Sequence, residues 1–371
     1  MPSKHIAVMG IKGLPAKGGG ERAAEAVIKE ALKQGYRVTV YAKKNYYEQH
    51  DIPGNLEIVL IRDLAGKHLS AFSFGLFSCI HALLFKNYDL IHLHYADFGY
   101  IVPLLRLRFK VMVSSQGAEY NRDKWGKLAK LCFKLSEIPF IKYSNIRTCA
   151  SAPLTKYYEQ HYGKEVLYIP NGINPSEFEN LPQDVLEKYE LSKNQYILFC
   201  AGRIIPSKGC DVLLQANRLL GIDIPLIIIG DMDSEPSYKK YLMSLAEANV
   251  RFIDFIPSKS ELFSIAANCR FFVFPSAYEA MSLMLLEVAS VKRGIVCSDI
   301  PENYETIGEN ALYFKTGQVD SMCNKIKYAL DHPHEMEVMG ERAYQWVTKN
   351  RNWRKITRAY LKLYREIISD G

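Results

Sequence analysis

The sequence predicts an α/β protein with two domains, each a parallel β-sheet covered by helices. Its 371 residues exceed the usual size of one domain and suggest two. Short apolar runs rich in β-branched residues alternate with helical patterns, which is typical of parallel sheets. Because this alternation occurs in two successive series, we expect two Rossmann-like units.

The first series contains seven predicted strands, with helical patterns between several of them. The strands cover residues 6–9, 38–42, 57–61, 89–94, 110–115, 145–150 and 166–169. The clearest helix covers residues 21–34, where alanine, valine, isoleucine and leucine recur on one face. A turn-forming run, Pro170-Asn171-Gly172, follows the last strand. It favours a domain boundary over the alternative of a single large sheet.

The second series contains six predicted strands, at residues 196–201, 225–229, 250–255, 270–274, 295–298 and 312–314. We therefore assign residues 1–185 to a first domain and residues 186–350 to a second. Residues 351–371 form a basic terminal helix, in which apolar residues recur at helical spacing. This helix would fit naturally if it crossed back onto the first domain, which is also basic.

Positive charge is concentrated in the first half of the chain. Residues 1–185 carry 24 Lys and Arg against 17 Asp and Glu, whereas residues 186–371 carry 23 of each. This asymmetry suggests orientation toward an anionic surface. No motif supports nucleic-acid binding, although the charge alone would permit it.

Cysteine usage and the N-terminus favour a cytoplasmic protein. The eight cysteines are scattered without a Cys-x-x-Cys pair, which is typical of buried thiols in a reducing compartment. No apolar region of a secretory signal precedes the first strand. Residues 69–85 are uncharged apart from a neutral histidine, but they only reach the lower length limit for a membrane span. We expect a buried or surface-seated helix there.

The first strand leads into a glycine-rich loop that ends with Gly18, Gly19 and Gly20, directly before the first helix. Glycines at such a turn let the backbone approach a ligand, and a helix N-terminus favours an anion. The spacing matches neither the dinucleotide nor the P-loop fingerprint. The loop could simply be flexible, but ligands of open α/β sheets bind at this edge.

The second domain opens in the same way, with Gly202-Arg203 after its first strand and Lys208-Gly209 shortly beyond. Two cations at the carboxyl end of a strand suit a diphosphate, although such residues are often merely solvated.

Two glutamates, Glu279 and Glu287, follow the strand at residues 270–274. Seven residues separate them, and an apolar helix is expected to begin near residues 280–282. The free N–H groups of that helix could hold a phosphate between the two carboxylates. Glu287 could instead cap an exposed turn, but a carboxylate among apolar neighbours usually has a specific partner.

Taken together, these motifs resemble the family 4 retaining glycosyltransferases of the GT-B fold, in which two Rossmann-like domains face each other across a cleft. The resemblance extends over essentially the whole chain, in the right order. It rests on the following motifs: Gly18–Gly20, Asn171-Gly172, Gly202-Arg203 with Lys208-Gly209, the glutamate pair, and the terminal helix with Trp353, Tyr360 and Tyr364.

The resemblance implies a role for each matching residue. Arg203 and Lys208 would neutralise the donor diphosphate, and Glu279 would bind the donor sugar. Glu287 would hold the ribose. The remaining donor-binding positions are Gly19, Gly20, Gly202, Met281, Ser282 and Leu283. Such enzymes retain the anomeric configuration and need no metal or other cofactor, because side-chain charges and a helix dipole carry the leaving-group charge.

The run from Gln116 to Trp125 resembles a subgroup that includes bacterial rhamnosyltransferases of capsule and cell-wall synthesis. Many relatives carry a histidine where this chain has Gln116, so the acceptor-side chemistry stays open. Besides Gln116, the candidates for meeting the acceptor hydroxyl are His94, Asp97 and Glu119.

Two patterns invite a metal interpretation, and we favour a different one for each. Asp231 and Asp233 form an Asp-x-Asp run after a strand, where we expect an ordinary loop. His92 and His94 would share one face of a strand, but no third ligand is indicated, so packing is favoured.

A basic amphipathic helix is expected over residues 122–134, with arginine and lysines beside an apolar face. It could be a solvated helix, or it could dock on anionic lipid. A lipid-linked saccharide would then be a natural acceptor at the inner face of the membrane. The alternatives to a transferase are a nucleotide-sugar epimerase of the same fold and a non-catalytic nucleotide-sugar-binding protein.

Overall fold

The computed structural model describes residues 4–16, 19–47, 53–66, 69–118, 120 and 126–369. The chain divides into two compact units. The first contains residues 1–171 and 353–371, and the second contains residues 172–352. Each unit is a parallel sheet with helices on both faces, which confirms the prediction of two Rossmann-like domains.

The first unit has a seven-stranded parallel sheet with the order β3-β2-β1-β4-β5-β6-β7. Its strands are β1 (His5–Met9), β2 (Arg37–Lys43), β3 (Leu56–Ile61), β4 (Leu90–His94), β5 (Val111–Ser115), β6 (Ile146–Cys149) and β7 (Leu167–Tyr168). Its helices before the domain boundary are α1 (Gly19–Lys33), α2 (Leu69–Phe85), α3 (Val102–Leu105), α4 (Lys127–Tyr143) and α5 (Ala152–Tyr162).

Alternating side chains of the first sheet build two separate apolar layers. Ile6 and Val8 of β1 pack toward α1, whereas Ala7 and Met9 pack toward α2, α3, α4 and α5. This period of two is what a strand covered on both faces requires.

The second unit has a six-stranded parallel sheet with the order β10-β9-β8-β11-β12-β13. The short helix α6 (Val185–Lys188) precedes these strands: β8 (Ile197–Arg203), β9 (Leu226–Asp231), β10 (Val250–Ile253), β11 (Phe271–Phe274), β12 (Ile295–Ser298) and β13 (Leu312–Phe314). Seven longer helices accompany them: α7 (Cys210–Leu220), α8 (Pro236–Leu245), α9 (Lys259–Asn268), α10 (Leu283–Ser290), α11 (Pro301–Ile307), α12 (Val319–Asp331) and α13 (Pro333–Asn350).

The last helix, α14 (Trp353–Ser369), packs on the first unit, as the sequence predicted. Five of its apolar side chains are buried beside α1 and the first sheet: Ile356, Tyr360, Leu361, Tyr364 and Ile367. The domain boundary differs from the predicted one at residue 185. Phe178 and Val185 belong to the core of the second unit, so this unit begins at Gly172.

Helix α2 is seated on the surface of the first unit, one of the two arrangements expected for it. Ser78 and Cys79 are buried, whereas Leu84 and Phe85 are largely exposed. Among the described residues, no helix has the length and apolar composition that crossing a membrane would require. Seven of the eight cysteines are buried, as expected, and Cys132 on α4 is exposed.

Candidate active site

The predicted motifs lie where the strand order of each sheet changes direction. In the first sheet this point lies between β1 and β4, and in the second it lies between β8 and β11. The loops that follow such strands form the usual ligand-binding crevice of open α/β sheets. The glycine-rich loop follows β1, the Arg203 and Lys208 loop follows β8, and the Glu279 loop follows β11.

Lys208 and Glu279 form an ion pair in the second unit. The Lys208 Nζ lies 2.5 Å from the Glu279 Oε1, and both side chains are largely buried. The ammonium also lies over the ring of Phe274, 6.0 Å from its centroid. The structure therefore brings together two residues that are 71 positions apart in the sequence.

Gly209 makes this approach of the two loops possible. Its φ of +68° lies in the left-handed region, and a Cβ there would lie 2.3 Å from the carbonyl oxygen of Pro275. The Ala277 N–H also donates to the Ser207 carbonyl at 2.9 Å. The backbone thus fixes the distance between the lysine and the glutamate.

Arg203 lies at the end of β8 with its side chain exposed, directly after the exposed Gly202. The register between β8 and β9 shifts between Cys200 and Arg203, and a bulge of this kind re-aims the side chains that follow it. Within the described part of the chain, no carboxylate pairs with the Arg203 guanidinium. Arg203 is therefore available to bind an anion.

Helix α10 begins at Leu283, and its N-terminus follows the Glu279 loop. Ser282 caps it, since its side chain accepts a hydrogen bond from the Leu285 N–H at 3.4 Å. Met281 and Ser282 are buried and Leu283 is half-buried. The first N–H groups of a helix have no acceptor within the helix, so this terminus can bind a phosphate oxygen.

Glu287 is only 4% exposed and has the specific partner that its apolar surroundings require. The Lys259 Nζ lies 3.0 Å from its Oε1 and 2.7 Å from the Glu177 Oε2. The same ammonium lies 4.7 Å from the ring centroid of Phe178. The oxygens of a carboxylate paired in this way can still accept hydrogen bonds from hydroxyl groups.

A buried polar cluster follows β11 and β12. The Ser298 Oγ donates to the Ser276 carbonyl at 2.5 Å, and the Asn303 amide donates to Ser298. The Ser276 Oγ is buried and has no hydrogen-bond partner among the described residues. Burial, together with the charges of Glu305 and Glu279, raises the pKa of the neighbouring Glu302. This carboxyl group therefore belongs to the electrostatic environment of Glu279.

In the first unit, Gly19 and Gly20 form the first turn of α1. A Cβ at Gly20 would lie 2.4 Å from the hydroxyl oxygen of Tyr95, so the tyrosine side chain reaches the start of this helix. Tyr95 follows β4 with a φ of +74°, which is rare for a bulky residue and common at binding sites. Gly18 lies outside the described residues.

His94 and Gln116 are buried polar side chains near the carboxyl ends of β4 and β5. Neither ring nitrogen of His94 and neither polar atom of the Gln116 amide has a hydrogen-bond partner among the described residues. Burial lowers the pKa of His94 to about 3, so its ring is neutral. Such groups are unusual in a folded core, and a ligand or an ordered water is a common explanation.

His92 is satisfied within the protein. Its Nδ1 lies 2.6 Å from the Tyr364 hydroxyl of α14, and its Nε2 lies 2.7 Å from the Ser114 hydroxyl. Both ring nitrogens have hydrogen-bond partners, so His92 is a buried residue of the core. Asp97 lies in the 3-10 helix Ala96–Ile101, and Glu119 lies outside the described residues.

The Asp231-x-Asp233 run forms a loop, as predicted. The Asp233 N–H donates to the Asp231 carboxylate at 2.8 Å, and Lys239 pairs with Asp233 at 2.7 Å. In the part of the chain that the structure describes, no three His, Cys, Asp or Glu side chains converge as a metal site would require.

Three residues of this environment are missing from the sequence-based site: Lys259, Glu302 and Tyr95. A lysine in the first turn of a helix is ordinary in sequence, and the contact with Glu287 depends on two helices that the sequence does not pair. The backbone angle of Tyr95 leaves no trace in the sequence.

Two family models match the chain and together span most of it. The model described as Glycosyltransferase Family 4 matches residues 17–177, and the one described as Glycosyl transferases group 1 matches residues 183–346. These ranges correspond closely to the two structural units.

The chain is similar to O-antigen chain mannosyltransferase B of Escherichia coli, with 30% identity over 53% of this chain and 51% of the relative. That alignment thus spans about half of either protein. A longer one joins it to the N,N'-diacetylbacillosaminyl-diphospho-undecaprenol alpha-1,3-N-acetylgalactosaminyltransferase of Campylobacter jejuni, with 23% identity over 88% of this chain and 82% of the relative.

The fold is shared with Anabaena HepE, solved in complex with UDP and glucose. The TM-score is 0.79 at 15% identity, and the match covers 98% of this chain and all of the other. With both domains matched and the fold shared over the whole length, the chain is a glycosyltransferase of the GT-B fold and belongs to the family 4 glycosyltransferases.

Proposed function

We propose that this glycosyltransferase moves a hexose from a nucleoside diphosphate sugar to a hydroxyl of a saccharide acceptor, with retention of the anomeric configuration. The observation that carries the proposal is the grouping of Arg203, Lys208 and the N-terminus of α10 where the second sheet changes direction. Two cations and a helix N-terminus match the charge of a diphosphate.

In the proposed reaction, charge develops on the diphosphate as its bond to the sugar breaks. Arg203 and Lys208 neutralise this charge, and the first N–H groups of α10 donate hydrogen bonds to it. Preorganised charges of this kind stabilise a leaving group without a bound metal. Glu279 is then placed beside the sugar, where it accepts hydrogen bonds from hydroxyls, and Glu287 accepts them from the ribose.

We further propose that the acceptor is a lipid-linked saccharide of surface polysaccharide synthesis, held by the first domain. The name of the Campylobacter jejuni relative, which acts on a diphospho-undecaprenol saccharide, supports this class. His94 and Gln116 are the acceptor-side groups that the geometry favours. A neutral imidazole and an amide each offer one donor and one acceptor to a sugar hydroxyl. The enzyme would then work peripherally on the inner face of the membrane.

The proposal is tested by nucleotide release from UDP-, dTDP- and GDP-sugars, with and without bacterial lipid extract and with EDTA present. We expect release from one donor that rises with the lipid and survives EDTA. Magnetic resonance of the product then reports the configuration of the new bond. Release that needs no acceptor, or an altered sugar with no transfer, would favour the epimerase instead.

Glu279→Ala tests the assigned site. This change should lower transfer by at least about 100-fold while nucleotide binding stays largely intact, because the sugar contact is lost and the phosphate contacts remain. The control is Glu341→Ala, which breaks an exposed ion pair with Lys292 in the same domain. Near-normal turnover by Glu279→Ala would overturn the role given to this residue.

A further inference from the structure

Helices α2, α3 and α4 form one layer on the same face of the first sheet. The 3-10 helix Ala96–Ile101 contacts both α2 and α4, and α3 continues directly from it. Two glycines allow the close packing. A Cβ at Gly75 of α2 would lie 2.3 Å from the Tyr100 hydroxyl, and a Cβ at Gly99 would lie 2.0 Å from the Ser136 carbonyl of α4.

The outer side of this layer is apolar, although it faces away from the core. On α4 the exposed apolar residues recur every three or four positions, which places them in one stripe. They are Leu128, Leu131, Leu135 and Ile138. The corresponding residues of α2 are Leu69, Phe72, Phe77, Ile80, Leu84 and Phe85, and those of α3 and the turn after it are Leu104 and Leu107. We call these twelve residues the apolar face.

Exposure of this extent is unusual for a surface that meets only water. Leu128 is 76% exposed, Leu107 80% and Phe85 70%. Scattered exposed leucines need no explanation, but a set on three adjacent helices marks an interaction surface.

The exposed charged residues of α2, α3, the turn after α3 and α4 are all positive. Helix α2 contains no charged residue, and α3 with the turn after it contains only cations. The only acidic residue of α4 is Glu137, which is 2% exposed and pairs with Lys134 at 3.0 Å. The exposed cations are Arg106, Arg108, Lys127 and Lys142.

Lys134 is not one of these exposed cations, although it belongs to the basic amphipathic helix predicted over residues 122–134. Its ammonium lies 4.6 Å from the ring centroid of Tyr120 and 4.4 Å from that of Tyr157. The predicted basic helix is corrected accordingly: α4 begins at Lys127, and residues 121–125 lie outside the described part.

We propose that the apolar face docks on an anionic lipid bilayer, with α2 and α4 lying in the plane of the interface. Leucine and phenylalanine side chains would enter the boundary between headgroups and acyl chains, and the cations would contact lipid phosphates. Two copies of the chain facing each other would instead bring cations against cations. The inference rests on the proposed function, because docking would serve to bring the first domain to a lipid-linked acceptor.

The test is flotation of the full chain with vesicles of phosphatidylcholine, alone or mixed with phosphatidylglycerol. The variant combines Leu84→Glu and Leu131→Glu, at sites that are 67% and 54% exposed. The matched control is Leu219→Glu on α7 of the second domain, at a site that is 62% exposed. All three proteins should unfold at similar temperatures, because none of these side chains is buried.

The chain and the control should float with the anionic vesicles, whereas binding by the double variant should fall at least about tenfold. Arg108→Gln should weaken binding about fivefold, the loss expected for one cation near an anionic surface. Equal flotation of the double variant, or no flotation of the unaltered chain, would overturn the proposal. If the unaltered chain formed a dimer and the double variant were a monomer, the apolar face would instead be an interface between two copies of the chain. Nucleotide release in the same preparations checks the transferase activity independently.

Discussion

His94 is a fully buried histidine whose two ring nitrogens find no hydrogen-bond partner in the described part of the chain, and burial lowers the pKa of its ring to about 3. At the pH of a cell the ring is therefore neutral, with one nitrogen able to donate and the other able to accept. A sugar hydroxyl offers both complementary groups. The same burial gives the residue a measurable effect on stability.

Lowering the pH from 7 to 5 should destabilise the unaltered chain by about 2 kcal/mol more than it destabilises His94→Leu. Below pH 6.5 the histidine of the unfolded chain is protonated, whereas the folded one stays neutral down to about pH 3. The free energy of unfolding therefore falls by about 1.4 kcal/mol for each pH unit in this range. Denaturant unfolding at both pH values measures this difference.

The control for this comparison is His334→Leu, whose side chain is 88% exposed. It should show the same pH dependence as the unaltered chain. If His94→Leu also matched the unaltered chain, the buried neutral state of His94 would be wrong.

At the scale of residues, the sequence indicated which side chains belong to the candidate site, but it did not indicate all of their contacts. Arg203, Lys208, Glu279 and Glu287 were found from their place after strands, and the structure pairs Lys208 with Glu279. The partner of Glu287 could not be predicted, because Lys259 comes from α9, which the sequence does not join to α10. The assigned roles stay predictions.

At the scale of the elements, the loop with Lys208 and the loop with Glu279 are held together by backbone contacts as well as by the ion pair. Gly209 closes the turn after Lys208 against Pro275, and Ser207 accepts the Ala277 N–H. The geometry of the charged pair therefore depends on a residue without a side chain.

Gly209→Ala should separate these two loops. A methyl group 2.3 Å from the Pro275 carbonyl must push one loop away, and the left-handed backbone adds strain of about 1–3 kcal/mol. We expect transfer to fall at least about tenfold, with a smaller loss of nucleotide binding. Steady-state kinetics and nucleotide titration measure the two effects.

Gly54→Ala is the control, since no atom of the described residues lies within 4 Å of a Cβ there and the backbone is not left-handed. Unchanged kinetics in Gly209→Ala would mean that the spacing of the two loops does not govern catalysis.

Most elements followed from the sequence, because apolar strands in parallel sheets form short runs bounded by turn residues. The 21–34 prediction, for example, is helix α1 at Gly19–Lys33. The boundary at residue 185 was wrong because α6 and the segment before it pack on the second core, and tertiary contacts of this kind leave no local pattern.

At the scale of the whole molecule, the two units differ in how the chain builds them. The second unit is continuous from Gly172 to Asn352, whereas the first needs both the beginning of the chain and α14. Tyr364 of α14 also completes the hydrogen bonding of the buried His92.

Truncation after Asn352 should unfold the first unit and leave the second one folded. The deletion uncovers the apolar layer under α14 and leaves a buried ring nitrogen without its partner. Limited proteolysis with mass spectrometry should yield a resistant fragment within residues 172–352. Truncation after Ser369, which keeps α14 whole, is the control. Equal protease resistance of the first unit in both proteins would contradict this prediction.

The late position of α14 also bears on biosynthesis. Ile6, Val8, Val38 and Val40 leave the ribosome before the second domain does, yet helix α14, which covers them, is translated after that entire domain. The second domain can complete its folding while the first still exposes one side of its sheet. The first domain is therefore expected to mature last and to depend on chaperones for longer, although its strands are synthesised first.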